Sequence, residues 1–255
     1  MRDAVRSSWL VAMRHWRVYR KDFLANIAPT FADPIFFMVS LGIGLGAYVR
    51  EIHGMPYATY IAPGLAMNAA MFTAYFETSY GFFIRLNYEN IFKALLTTAV
   101  GVEEIIAGEF IWVGLKSAVF TVIVGAVLCA FGSIKPGLLP VAGLVGGLVG
   151  LCYGAVGLIA TALVRNITQF QIVFATVINT TFFFSGMFFP LDDLPGPLAT
   201  ISKALPLSQG VALSQALLWQ RGVSEALCLN GPVLAIEATI LVAIASRMIT
   251  PKLYR

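Results

Sequence analysis

Hydrophobic positions in this chain come in long unbroken runs, not in the alternation of strands or the narrow stripes of soluble helices. Six runs are poor in charge: about Ile27 to Val49, Tyr57 to Ile84, Phe110 to Phe131, Leu138 to Val164, Ile167 to Phe189 and Ala226 to Ser246. Each is long enough for one helical crossing of a bilayer, which takes about 20 residues. A transmembrane barrel is disfavoured, because its strands alternate apolar and polar. Three stretches break the pattern. Near the N-terminus Val5, Trp9, Met13 and Trp16 recur at helical spacing, while Arg6, Arg14 and Arg17 fall towards another face. That describes a helix lying in the headgroup layer. After the second run, Tyr88, Ile91, Phe92 and Leu95 follow the i, i+3, i+4, i+7 pattern of a short amphipathic helix. Thr97, Thr98 and Gly101 end it, and Glu103 and Glu104 suit the start of the next. Finally, Leu191 to Arg221 mixes Asp192, Asp193, Pro195, Pro197, Lys203 and Pro206 with apolar residues. Two short interfacial helices or a re-entrant hairpin fit it better than a clean span.

Composition sharpens this picture. The chain has 255 residues, 58% hydrophobic and 12% charged, where soluble domains carry about 25% charged residues. A soluble globule would lack polar surface, and disorder requires the opposite balance. The fold class is therefore all-α: a polytopic membrane protein with six transmembrane helices and no sizeable soluble domain. Lysine and arginine set its orientation. Arg2, Arg6, Arg14, Arg17, Arg20, Lys21, Arg85, Lys93, Arg165, Arg247, Lys252 and Arg255 fall on one side. Arg50, Lys135, Lys203 and Arg221 fall on the other. The excess puts both termini in the cytoplasm. The basic N-terminus lacks the short apolar run of a signal peptide. The net charge of +4 is assigned to inside-facing loops, not to nucleic acid.

Four charges fall within the spans: Asp33, Glu77, Lys116 and Glu237. Such groups face a bundle interior. They read as substrate contacts, a proton relay, or a structural pair of Lys116 with Glu77 or Glu237. Gly42, Gly44, Gly46 and the run Gly143, Gly147, Gly150, Gly154 permit close helix crossing, within the chain or at a dimer seam. Phe182, Phe183, Phe184, Phe188 and Phe189 form an aromatic belt that would also suit an apolar tail. The chain has no Gly-Lys dipeptide and hence no phosphate-cradling loop, so it is not expected to hydrolyse ATP. No catalytic constellation or metal site is expected. Cys129, Cys152 and Cys228 form no disulfide or metal pattern, and His15 and His53 are isolated, on opposite sides of the membrane.

Several stretches together resemble the permease subunits of type-2 ABC transporters, nearest to nodulation-type lipo-oligosaccharide exporters and to drug-resistance exporters. They are Ala32-Asp-Pro-Ile-Phe with Gly42-Ile-Gly-Leu-Gly46, Gly54 to Gly64, Tyr88 to Thr98 with Glu103 to Glu109, and Phe184 to Pro195 with Leu205-Pro-Leu. The likeness covers essentially the whole chain. It implies one permease domain over 1–255, with an interfacial elbow helix (1–24) carrying Arg6, Trp9, Arg14, Trp16 and Arg17. It implies spans at 27–49, 57–84, 110–131, 138–164, 167–189 and 226–246, and an outer re-entrant segment at 191–221. It also implies a cytoplasmic coupling helix within 86–100, whose Tyr88, Glu89, Ile91, Phe92, Lys93, Leu95 and Leu96 meet a separate ATPase. The expected assembly is two permease chains, most simply a homodimer, with two ATPase subunits and surrounding lipids. ATP and magnesium belong to the partner, and this chain needs no cofactor. The expected role is outward movement of an amphiphile: a lipo-oligosaccharide, glycolipid, lipid-linked glycan or hydrophobic drug. Asp33, Glu77, Lys116, Phe183, Phe184 and Glu237 are the candidates for its path or for structural charge pairs. The alternative is a proton-coupled transporter using Glu77 and Glu237.

Overall fold

The computed structural model describes residues 2–22, 32, 34–49 and 51–254. Asp33 and the start of the first apolar run lie outside the described residues. The chain is built almost wholly of helices. It opens with α1 (Arg2–Tyr19) and α2 (Pro34–Ala47). A two-residue hairpin follows, β1 (Glu51–Ile52) against β2 (Met55–Pro56). His53 and Gly54 at its tip both have positive φ, as tight hairpin turns demand.

The centre of the fold is α3 (Tyr57–Phe76). It passes without a break through a π-helical segment, Glu77–Gly81, into α4 (Phe82–Asn87). From Tyr57 to Asn87 this rod is roughly 46 Å long at about 1.5 Å per residue. Ile61, Met67, Met71 and Tyr75 are fully buried in it. A helix buried on every side must be apolar all round, which is why its sequence shows no stripe.

Around α3 stand α6 (Val102–Ala130), α7 (Leu139–Leu163) and α10 (Pro206–Trp219). The tightest seam is glycine-lined. A Cβ at Gly150 would strike Ser117, one at Gly154 would strike Val113, and one at Gly157 would strike Thr78. Without side chains there the backbones come close enough for Thr161 Oγ1 to donate to the Thr78 carbonyl at 2.9 Å. The glycines of this run therefore serve packing within the chain. On the outside lie α8 (Ile167–Phe183), α9 (Gly196–Lys203) and α11 (Val223–Leu253). Lys252 at the end of α11 donates to the Thr161 and Val164 carbonyls, at 2.8 and 2.9 Å. It thereby satisfies the last carbonyls of α7, where a cation is favoured.

Among the described residues, three helices are long and apolar enough to cross a bilayer: Val102–Ala130, Pro136–Leu163 and Val223–Leu253. Pro34–Ala47 and Ile167–Phe183 are shorter apolar helices. Leu144, Leu163, Ile172, Ile236 and Ile240 stand exposed on the outer faces. Such a surface is stable in lipid and not in water. The chain is a polytopic helical membrane protein.

Helix bounds differ from the apolar runs where charge misleads. The third run was read from Phe110, but α6 starts at Val102 and takes in Glu109, whose charge is paired inside the protein. The last run was read as Ala226 to Ser246, yet α11 continues to Leu253 because Arg247 and Lys252 lie on a helix that packs against α7. The fifth run was read to Phe189, but α8 stops at Phe183. The chain then turns through Gly186, where φ is +79°.

Candidate functional site

Most of the chemistry sits at the end of α3 that leads into α4 and α5 (Ile91–Leu96). The short linker between α4 and α5 sets its shape. Asn90 takes a left-handed conformation, which asparagine tolerates better than most residues. The helical pattern from Tyr88 to Leu95 is therefore not one helix: Tyr88 and Glu89 precede the break. Phe92 is buried, its ring 4.5 Å from that of Phe82. Beneath it lie Val102, Ile105 and Ile106 of α6 and Ile249 and Leu253 of α11. Leu95 and Leu96 pack against the same cluster. The apolar stripe of α5 thus holds the helix on its own bundle. What it leaves outside is Tyr88, Glu89 and Lys93, all exposed, with Ile91 half-covered.

Behind α5 is a network of charges. Glu77 lies in the π segment, Arg85 on α4, Glu109 and Lys116 on α6, and His15 on α1. Lys116 follows Glu109 by seven positions, so both fall on one face of α6. Arg85 donates to Glu77 Oε1 at 2.8 Å and to Glu109 Oε2 at 2.9 Å. Lys116 Nζ donates to Glu77 Oε2 at 2.7 Å, and His15 Nε2 meets Glu109 Oε1 at 2.8 Å. Every carboxylate oxygen has its own partner, which is the condition for charges to be buried at tolerable cost. Gly81 leaves the guanidinium of Arg85 its room: a Cβ there would sit 3.2 Å from it.

The same network docks α1. Ser8, Val11, Ala12 and His15 form a buried face against α6, and Gly108 lets the helices touch, since a Cβ there would strike Val11. Trp9 and Trp16 remain exposed on a second face, and Arg6 and Arg17 are exposed too, while Arg14 is half-covered beside His15. His15 is therefore not isolated, as the sequence suggested, but a buried partner of Glu109.

A cavity of about 470 Å³ opens onto the network. Glu77, Arg85 and Lys116 form its polar floor, and Phe37, Phe72, Phe76 and Phe120 its walls. Asn68 lines it while 5% exposed, and its Oδ1 has no partner among the described residues. An apolar recess with a few convergent polar groups is the usual form of a small-molecule site. Of the expected path residues, the structure brings Glu77 and Lys116 together here. Phe183 is exposed on α8 and stacks on Phe188, and Phe184 is half-covered. Neither lines the cavity. Glu237 lies apart on α11, and its Oε2 has no partner among the described residues. Lys116 therefore pairs with Glu77 and not with Glu237.

Sequence reasoning missed His15, Arg85 and Glu109. Arg85 was counted as a loop charge, although it follows Glu77 by two helical turns on the same rod. That spacing was the available signal.

A family model described as ABC-2 type transporter matches residues 6–219. Nodulation protein J of Rhizobium leguminosarum bv. viciae is 29% identical, over 97% of this chain and 96% of its own. Nodulation protein J of Rhizobium leguminosarum bv. trifolii is 32% identical, over 83% of this chain and 81% of its own. The inner membrane transport permease YadH of Escherichia coli (strain K12) is 22% identical, over 75% and 73%. The matched stretch takes in the docked α1, the central rod, α5 and the cavity walls, and on that footing the chain belongs to the ABC-2 type transporter family.

Proposed function

We propose that the chain is the membrane subunit of an ATP-driven exporter in the bacterial inner membrane, with both termini cytoplasmic and six crossings. It acts as one of two identical permease chains served by two copies of a separate ATPase, which hold the ATP and magnesium. The observation that carries this reading is the seating of α5. Phe92 fixes it to the bundle while Tyr88, Glu89 and Lys93 face outward. An exposed polar surface with one aromatic residue, tied through Phe92 to α4, α6 and α11, suits a partner that must transmit movement. Binding alone would transmit nothing: the ATPase must hold two arrangements of the bundle with unequal affinity. The substrate is an amphiphile, its apolar part taken by the phenylalanine walls of the 470 Å³ cavity and its polar part by Asn68 and the floor. The relatives named for nodulation support a lipo-oligosaccharide or related glycolipid.

Affinity purification of the tagged chain from its native membrane tests the partner. A near-stoichiometric ATPase is expected, lost in Tyr88→Asp and in Lys93→Glu while the chain remains folded. Recovery of the chain without any ATPase, or unchanged export in both variants, would overturn the assignment.

A further inference from the structure

A groove runs along the outside of the bundle between α6 and α11, which both pack on α7 and stand apart from each other. It has two continuous parts that meet at Phe110 and Val242. The first, of about 780 Å³, is apolar, and Gly114, Ala235 and Ala243 leave it wide. The second, of about 530 Å³, ends towards α5 and carries Glu103, Ser246, Arg247 and Thr250. None of these residues lines the cavity walled by phenylalanines.

Three observations define an occupant. The first is length. From Ala235 to Thr250 the groove follows α11 for roughly 22 Å, at about 1.5 Å per residue. One leaflet with its headgroup layer is about 20–22 Å deep. The second is polarity, which runs one way: apolar walls pass into a charged mouth, as tail passes into headgroup. The third is the charge at that mouth. Arg247 and Glu103 are exposed, and neither makes an ion pair or a side-chain hydrogen bond among the described residues. The Ser246 and Thr250 hydroxyls give their protons to the Val242 and Ser246 carbonyls, both at 2.7 Å. They keep only lone pairs to offer.

The mouth therefore presents one cation, one carboxylate and two acceptor oxygens. A phosphate meets Arg247, while a primary ammonium meets Glu103 and the hydroxyl oxygens. A trimethylammonium has no N–H for those oxygens. An anionic head without an amine sets its phosphate against Glu103 with nothing between them. A helix of a second copy would lie across both charges and would have to answer each of them. We infer that the groove holds one phospholipid whose zwitterionic head pairs a phosphate with a primary ammonium, its acyl chain lying between α6 and α11. Ile106 belongs both to the mouth and to the apolar cluster beneath Phe92, so this lipid braces the seat of α5. The inference rests neither on the ATPase nor on the transported substrate.

Native mass spectrometry of the full chain, released from detergent micelles, tests it. The probes are palmitoyl-oleoyl phosphatidylethanolamine, phosphatidylglycerol and phosphatidylcholine at equal concentration. One phosphatidylethanolamine per chain is expected, held about tenfold more tightly than either other lipid, the worth of one charge-assisted hydrogen bond. Arg247→Gln should weaken it about tenfold for the same reason. Glu103→Gln leaves the cation alone and should turn the preference to phosphatidylglycerol. Ala243→Phe, at an exposed position of the groove wall, should exclude all three. Each variant should keep the helical circular dichroism and the elution volume of the parent, which tells a loss of lipid from a loss of fold. Absence of bound lipid, equal retention of the three, or retention unaltered in folded Arg247→Gln and Ala243→Phe would each overturn the inference. So would a lipid-free dimer that Ala243→Phe splits, which would give the groove to a second copy.

Discussion

The two ends of the central rod are tied down by different chemistry. Near α5, two carboxylates share Arg85, Lys116 and His15 across helices α1, α4 and α6, with every oxygen occupied. Near the hairpin, neutral phenols do the holding: Tyr57 donates to the Phe188 carbonyl at 3.2 Å and Tyr60 to the Gly186 carbonyl at 3.0 Å. A buried ion network fixes several helices at once and fails badly when one member is lost. Hydrogen bonds to loop carbonyls are worth about 1 kcal/mol each, and their loss leaves a small, local defect. One end is therefore built to keep helices in register, and the other to hold a loop down.

Variants can break or sharpen that contrast. Arg85→Ala should have the largest effect, because it strands one oxygen on each of Glu77 and Glu109. A loss of about 3–5 kcal/mol is expected, read as a large drop in the thermal unfolding midpoint in detergent. A drop no greater than that of a surface substitution would show that the network does not lock the helices. Gly108→Val comes next. The added side chain meets Val11 and the Ser8 carbonyl, and overpacking of this kind costs about 1–3 kcal/mol. Limited proteolysis should then cut α1 at Arg14 or Arg17 faster, with the rest of the bundle intact. Tyr60→Phe removes one hydrogen bond and should cost about 1 kcal/mol, leaving ATPase association unchanged. If it disturbs the partner as much as Arg85→Ala does, the two ends are not separable.

The smallest effect is expected at Asp192. Its carboxyl is held below the usual aspartate range by Lys203, which bonds to it in the open. The pair's contribution is present above the ordinary aspartate pKa and fades as pH falls through the lowered one. Because both groups are largely exposed, Asp192→Asn should change stability by less than about 1 kcal/mol, and the difference should vanish in acid.

Much of the architecture was legible because lipid imposes a simple code. Charge-poor runs coincide with helices over the described residues, and the polar stretch after the fifth run holds α9 and α10. The charged network was not legible as a network. Glu77 and Lys116 stood out because they interrupt apolar runs, whereas Arg85 and Glu109 lie where charge looks like a loop. Only the third dimension shows that the π segment, α4 and α6 bury them together. The amphipathic pattern at α5 was visible, but not that its apolar side packs on the chain's own bundle. An apolar stripe records burial and cannot say against what, and here Phe92 spends it on the chain's own core. Asn90 could have flagged the break between Tyr88 and Ile91, since asparagine often marks left-handed turns.

The seat of Phe92 also sets the stiffness of the part that bears it. Its ring is wedged against side chains from α4, α6 and α11, and close-packed interiors have little compressibility. There is no slack to take up. Force applied at Lys93 cannot be absorbed by α5 tilting alone; it is passed on to the three helices that hold Phe92. In mechanical terms α5 is a foot bolted to the frame and not a ball turning in a socket.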